Sequence, residues 1–248
     1  MLKFELMKDA IVIIPTYNEI ENIEAIILAV FAQEKQFDIL VVDDNSPDQT
    51  ASIVKSLQSQ FPENLFLLER EEKTGLGSAY IAGFKWCLER DYSYIFEMDA
   101  DFSHDPKDLE RLYHACAIDD ADLAIGSRYV KGVNVVNWPM SRVLLSFGAS
   151  IYVRLITRMN IHDTTAGFVC YKREVLEAIN LERIKFVGYA FQIEMKFKAY
   201  LKKFKIVEVP VIFTDRANGK SKMSSGIISE AIFGVISLKL GSLFKRHN

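Results

Sequence analysis

A chain of 248 residues, 50% of them apolar and with a formal charge of −3, can bury a real core and has neither a disordered nor a fibrous composition. Three scattered cysteines, Cys87, Cys116 and Cys170, have no CxxC spacing and no nearby histidine pair, which argues against a structural zinc site and for a reducing compartment. The N-terminal apolar run before Pro15 is too short for a signal peptide or a membrane span, so the chain is expected to be made and kept in the cytoplasm, as one large domain with a small appendage.

In chain order, short apolar runs alternate with helix-like stretches: AIVIIP, NEIENIEAIILAVFAQ, FDILVVDD, QTASIVKSLQSQF, NLFLLER and GSAYIAGFKWCLERD. This alternation predicts βαβ units and an α/β fold with a mainly parallel, doubly wound sheet, helices on both faces, and ligands beyond the carboxyl ends of the strands. The first strand end continues Thr16-Tyr17-Asn18-Glu19, where Tyr17 can flank a base and Glu19 can hydrogen-bond it. The second ends at Asp44, whose carboxylate can accept hydrogen bonds from a ribose or a base edge. Gly75-Leu76-Gly77 lacks the third glycine of a dinucleotide fingerprint and does not follow a first strand, so these glycines are expected to turn the backbone tightly into a helix. YIFEMDAD then runs out into Asp99-Ala100-Asp101, and alternation along an extended chain sets the two carboxylates on one side. Such a pair invites Mg²⁺ or Mn²⁺ with substrate phosphates completing the shell; the plainer reading is a solvated turn before the helix that starts near Asp105-Pro106.

From about Arg142 the pattern changes to a helix, RVLLSFGASIYVRLITRM, the turn-rich DTTAGF, a second helix and a strand, VEVPVIF, that leads to Asp215 and Arg216. Lys196, Lys198, Lys202, Lys203 and Lys205, interleaved with Phe197, Tyr200, Leu201 and Phe204, could lean on anionic lipid headgroups, but a solvated helix face is the plainer reading. The segment 224–248 places Ile228, Ala231, Ile232, Val235 and Ile236 at helical spacing, which predicts an amphipathic helix that lies on a membrane or caps the domain. From Arg216 onward six basic residues face one acid, Glu230; removing that +5 from the total of −3 leaves −8 on residues 1–215. A basic end on an acidic body suits an anionic partner, and without interleaved stacking aromatics that partner is not expected to be a nucleic acid. No GxSxG elbow or triad pattern offers a nucleophile.

PTYNE, VVDDNSPD, GLGSAYIAGF and DADFSHDP together resemble the family 2 glycosyltransferases of the A-type fold. GSRYV, WPMSR followed by SFGAS, DTTAGF, GYAFQIEM and FTDRANGKSKM are similar to the dolichol-phosphate (polyprenol monophosphate) mannosyltransferases within that family. The resemblance implies a catalytic domain over 1–223 that moves mannose from GDP-mannose to a polyprenyl or dolichyl phosphate. It further implies inversion, Mg²⁺ or Mn²⁺, and a place on the cytoplasmic face of a membrane. Pro15, Tyr17, Glu19, Val42 and Asp44 would hold the nucleoside, and Asp99, Ala100 and Asp101 the metal diphosphate. Arg128, Arg216 and Lys222 would surround the donor's phosphates and sugar, with Asp101, Arg128 and Arg216 as the catalytic set. Arg142, with Ser146 one turn later, would take the acceptor phosphate. Ser103 stands where some relatives place a metal-binding Gln, so only a weak oxygen ligand is available there. The missing nucleophile is consistent, because a phosphate monoester with a second pKa of about 6 is already a dianion able to attack. Two rivals remain at this stage: a UDP-glucose-dependent transferase, and a non-catalytic nucleotide-sugar-binding module, against which the intact Asp99/Asp101 pair and the basic FTDRANGKSKM segment both argue.

Overall fold

The computed structural model describes residues 9–188, 190–215 and 225–244. The apolar runs of the first half become β1 (Ala10–Thr16), β2 (Asp38–Asp43), β3 (Leu65–Glu69) and β4 (Tyr94–Glu97). Between and after them lie α1 (Ile23–Phe31), α2 (Thr50–Gln58), α3 (Leu76–Leu88) and α4 (Asp108–Ala117). The second half supplies β5 (Leu123–Ser127), β6 (Val135–Val136), α5 (Met140–Thr157), β7 (Val169–Lys172), α6 (Arg173–Ala178), α7 (Ala190–Leu201), β8 (Ile206–Pro210), β9 (Phe213–Thr214) and α8 (Ser225–Phe244).

Seven strands form one sheet in the order β3-β2-β1-β4-β7-β5-β8, and all the pairings are parallel except those of β7 with β4 and β5. Strand periodicity divides the core. Ile11 and Ile13 of β1 face a cluster with Tyr80 and Phe84 of α3 and Phe191 of α7, whereas Val12 and Ile14 face one with Ile26 of α1, Val54 of α2 and Leu109 of α4. With both faces covered, β2 is buried along its whole length, its apolar residues 39–42 flanked by the buried Asp38 and Asp43.

Four features depart from the sequence reading. VEVPVIF is broken at Val211 and Ile212, so its first part is β8 and its last residues, as β9, pair with β6 in a separate two-stranded sheet, Val135 opposite Phe213 and Val136 opposite Thr214. β4 ends at Glu97, and Asp99–Asp101 follow in a bend, with Phe102 at φ 60°, so extended-chain alternation does not set the two carboxylates. Lys196 is not on a solvated face: it is fully buried, with Nζ donating to the Ala166 carbonyl at 2.6 Å and to Gln192 Oε1 at 3.1 Å. The expected amphipathic segment is a helix, but one that is apolar on two sides: Val235 enters the core while Phe233, Ile236 and Leu240 stay exposed. The side chains of Ile228, Ala231 and Ile232 lie outside the described residues. Among the described residues no helix is long and apolar enough to cross a membrane. The three cysteines are free, buried thiols.

Candidate active site

The carboxyl ends of β1, β2, β4 and β5 meet at one edge of the sheet, and β7, running the other way, brings the preceding Asp163–Phe168 loop to the same edge. The motifs found along the sequence therefore converge.

At the first two strand ends, Pro15 and Val42 sit opposite each other in register, and Val42 is fully buried. Lys73 Nζ lies 4.0 Å from the centroid of the Tyr17 ring, and Asn22 Nδ2 donates to Glu19 Oε2 at 3.0 Å. Asp44 accepts from Arg70 Nη1 at 2.7 Å; burial raises its carboxyl above the usual range, and Arg70 opposes this without cancelling it. The adjacent Asp43 braces the loops, taking Thr16 Oγ1 at 2.8 Å and Ser46 Oγ at 2.7 Å.

Beyond β4, His104 Nδ1 accepts from the Asp99 backbone N–H at 3.1 Å, and Asp101 Oδ1 accepts from the Ser103 N–H at 3.1 Å. The His104 ring stacks on Phe168 at 4.8 Å and meets Phe213 edge-on at 5.4 Å. Burial pulls its imidazole down to about 4, so it stays neutral and able to accept. Burial pushes the Tyr80 hydroxyl up, and the charges of Asp99 and Asp101 add to this as smaller causes. The buried Ser103 Oγ has no hydrogen-bond partner, and Ala100 between the carboxylates is buried. Two carboxylates and an unengaged hydroxyl fit a hard divalent cation whose remaining ligands come from a diphosphate. Among the described residues no group of three or more His, Cys, Asp or Glu side chains is gathered for a metal.

Arg128, just past β5, is 93% buried and gripped by Asp163: its Nε donates at 2.7 Å and Nη2 at 2.6 Å, with Thr165 Oγ1 accepting at 2.9 Å. Asp163 is itself set by Glu208 of β8, which accepts its N–H at 2.9 Å. Aromatic rings wall this guanidinium, those of Tyr129, Trp138 and Phe213 lying 5.2 to 5.5 Å from it. On α5, Arg142 lies over Trp138 at 4.0 Å and donates from Nη1 to Asp215 Oδ1 at 2.8 Å. Ser146 stands beside the Tyr129 hydroxyl. Arg216 and Lys222 lie outside the described residues.

Beneath the edge runs a chain of buried polar groups that single-residue reading of the sequence missed. Gln192 Nε2 donates to Glu97 Oε2 at 2.7 Å, and Lys196 Nζ donates to Gln192 Oε1 at 3.1 Å. Burial pushes Glu97 up to about 8 and pulls Lys196 down to about 8, each opposed by the other's charge. His104, Asp163 and Asp215 were also unassigned, although each lies inside a segment already marked out, DADFSHDP, DTTAGF and FTDRANGKSKM.

Residues 11–179 match the family described as Glycosyl transferase family 2. The chain is 49% identical over 225 residues to the polyprenol monophosphomannose synthase of Mycolicibacterium smegmatis, covering 91% of this chain and 84% of that one. It is 46% identical over 223 residues to the undecaprenyl-phosphate mannosyltransferase of Micrococcus luteus, covering 90% of each chain. With the dolichol-phosphate mannosyltransferase of Pyrococcus furiosus it shares 40% identity over 223 residues, 88% of this chain but 60% of that longer one. Among solved structures, glucosyl-3-phosphoglycerate synthase from Mycobacterium tuberculosis, in complex with Mn²⁺, UDP and glucosyl-3-phosphoglycerate, superposes with a TM-score of 0.69 over 94% of this chain and 80% of that one. At 16% identity that likeness speaks for the fold alone.

Proposed function

The chain belongs to glycosyl transferase family 2, and we propose that it transfers mannose, with inversion, from GDP-mannose to a polyprenyl phosphate on the cytoplasmic face of a membrane. The observation that carries this reading is the meeting of the Asp99–Asp101 bend, Arg128 and Arg142 at one sheet edge, beside a helix that turns an apolar side outward. The mannosyltransferase names of the relatives favour mannose over the glucose rival.

In this reading the nucleoside lies across the ends of β1 and β2, between Tyr17, Glu19 and Asp44, with Pro15 and the buried Val42 beneath it. Mg²⁺ or Mn²⁺, held by Asp99, Asp101 and Ser103, would supply stabilisation of the charge on the leaving diphosphate. Arg128, oriented by Asp163, faces the donor's phosphates, and Arg216 and Lys222 are assigned there with it. Arg142 and Ser146 aim the acceptor. A phosphate oxygen of the acceptor attacks the anomeric carbon, the bond from that carbon to the diphosphate oxygen breaks, and GDP leaves with the electron pair. No general base is required, because the attacking oxygen is already ionised.

We assign 1–223 to catalysis and 224–248 to the membrane side, joined there by α5. Met140, Leu144 and Leu155 of α5 are 70%, 64% and 74% exposed, with Leu145, Phe147 and Ile151 also outward. An apolar helix side of this extent, continuous with the acceptor arginine on the same helix, suits a lipid surface from which the acceptor's chain extends.

Turnover of radiolabelled GDP- and UDP-sugars with a short-chain polyprenyl phosphate tests the reading. Transfer from GDP-mannose is expected; transfer from UDP-glucose would replace the donor assignment, and no transfer from any donor would return the non-catalytic module.

A further inference from the structure

We propose that His104 is a positioning residue for the metal of the donor diphosphate: its Nδ1 holds the Asp99–Asp101 bend in shape, and its ring ties that bend to the aromatic wall around Arg128. The proposal rests on the reading of Asp99 and Asp101 as the carboxylates that hold the metal.

The bend needs holding. It leaves β4 at Glu97, and Phe102 sits at φ 60°, a left-handed conformation that disfavours a residue with a Cβ and persists only where the surroundings impose it. Phe102 is itself 38% exposed, so the constraint comes from the residues around it. Two hydrogen bonds close the bend, one inside the other. The inner bond uses Asp101, whose Oδ1 accepts the Ser103 N–H at 3.1 Å, and the outer one uses His104, whose Nδ1 accepts the Asp99 N–H at 3.1 Å. A bound cation competes for the inner bond, because that bond engages an oxygen of a metal-holding carboxylate. The outer bond engages no such oxygen and persists with or without a metal.

Packing alone does not call for a histidine here. The ring is 4% exposed, stacks on Phe168 at 4.8 Å with 12° between the planes, and meets Phe213 edge-on at 5.4 Å, contacts that a phenyl ring would make equally well. What the imidazole adds is an acceptor. A backbone N–H can only donate, so the bond from Asp99 requires an unprotonated Nδ1 and leaves the ring proton on Nε2.

The ring also sets where the bend lies. Phe168 directly precedes β7 and Phe213 opens β9, and the Phe213 ring lies 5.5 Å from the Arg128 guanidinium that it helps to wall. One side chain therefore joins the carboxylates, through its nitrogen, to the arginine side of the site, through its ring. A bend free to take other shapes would present Asp99 and Asp101 together only part of the time, and the apparent metal affinity would fall by that fraction.

The test uses the full chain and reads GDP binding by calorimetry as Mn²⁺ is titrated, with UDP as a second probe so that the donor assignment does not decide the outcome. His104→Phe keeps a ring and removes the acceptor, whereas His104→Asn removes the ring and puts Oδ1 near the place of Nδ1. In His104→Phe the half-saturating Mn²⁺ is expected to rise about three- to tenfold, the worth of one net hydrogen bond, while nucleotide binding in EDTA stays as in the parent. His104→Asn is expected to lie nearer the parent. A parent-like Mn²⁺ requirement in His104→Phe, an equal loss with and without metal, or a His104→Asn variant as impaired as His104→Phe overturns the proposal. Should His104→Phe melt early, His104→Gln takes its place: its amide oxygen reaches toward the Nε2 position, so equal Mn²⁺ requirements in the Asn and Gln variants overturn the proposal too. Asp101→Ala separates the two levels of the argument. A lost Mn²⁺ response there beside a parent-like His104→Phe removes the proposal alone, whereas an unchanged response in Asp101→Ala removes the metal reading and the proposal with it.

Discussion

Asp163 has no exposed surface, and burial alone would raise its carboxyl; the charge and hydrogen bonds of Arg128 outweigh that and hold it below the usual carboxylate value. A depressed folded pKa contributes stability that is fully present above the unfolded value of about 4 and is lost as pH falls through the folded one. Asp163→Asn is therefore expected to lose about 3–5 kcal/mol at pH 7, by leaving Arg128 buried without its charge partner, and to depend less steeply on pH below 4 than the parent. Urea unfolding of both proteins at pH 7 and across the acid range checks this, and an equal acid slope in the two would show that the pair does not carry the effect. Asp101→Ala is expected to abolish transfer and weaken Mg²⁺- or Mn²⁺-dependent GDP binding; a folded variant that keeps a substantial fraction of its activity would sink the metal assignment. Asp99, Asp101, Arg128 and Arg142 were legible in the sequence because their neighbours form recognisable segments. What pairs with each arginine was not, since Asp163 and Asp215 lie 35 and 73 residues further along the chain. Lys196 was misread for a related reason: periodicity records that a lysine sits among apolar residues, not that the Ala166 carbonyl of another loop and the Gln192 side chain converge on its ammonium.

At the scale of elements, the first four strands and their helices were readable because β1 and β2 carry unbroken apolar runs ending in polar turns. β7 was not separated from the DTTAGF turn that precedes it, and its reversed direction depends on pairing between β4 and β5, which no local pattern encodes. α5 was readable as a helix, but its placement was not: of its 18 residues only Ser150, Val153 and Thr157 are buried, and Met140, Leu144, Leu145, Phe147, Ile151 and Leu155 are exposed. Expected membrane binding thus moves from the C-terminal segment alone to α5 together with α8. Deleting 226–248 no longer isolates the effect, because Val235 lies in the core and a side chain at Gly234 would meet the Phe186 ring at 2.7 Å. Leu144→Glu with Leu155→Glu is the cleaner variant. Both side chains are already solvated, so the fold should be unaffected, while dehydration worth about 1.5–3 kcal/mol per fully buried leucine is lost. The double variant is expected to leave anionic liposomes in a flotation assay and to slow transfer to long-chain lipid more than to a short soluble analogue. Retained flotation would move the docking surface elsewhere.

Across the whole molecule, the site depends on two parts of the sheet holding their relative position: β4 with the Asp99–Asp101 bend, and the Ala166 loop that carries Asp163 and so Arg128. Besides the pairing of β4 with β7, α7 links them through the Gln192 amide. Gln192 gives its Nε2 to Glu97 of β4 and its Oε1 to Lys196, while Lys196 also holds the Ala166 carbonyl. The amide is oriented at both ends, with the NH₂ toward a Glu97 carboxyl oxygen and the oxygen toward the Lys196 ammonium, so one side chain ties the two groups together. None of this is local, since Gln192 and Glu97 are 95 residues apart. Lys196→Met should cost about 1–3 kcal/mol, because the Ala166 carbonyl and Gln192 Oε1 are left buried without their donor, while Glu97, pushed up to about 8 even beside Lys196, stays protonated at pH 7. Glu97→Gln acts on the other end of the same Gln192 amide, so the two substitutions are expected to be non-additive in a urea-unfolding double-mutant cycle. The contact to Ala166 is lost with Lys196, so the double variant should be impaired in transfer with its deficit mainly in kcat. Additive costs would mean that the two groups act independently, and full activity in the folded double variant would mean that the link holds the fold and not the site.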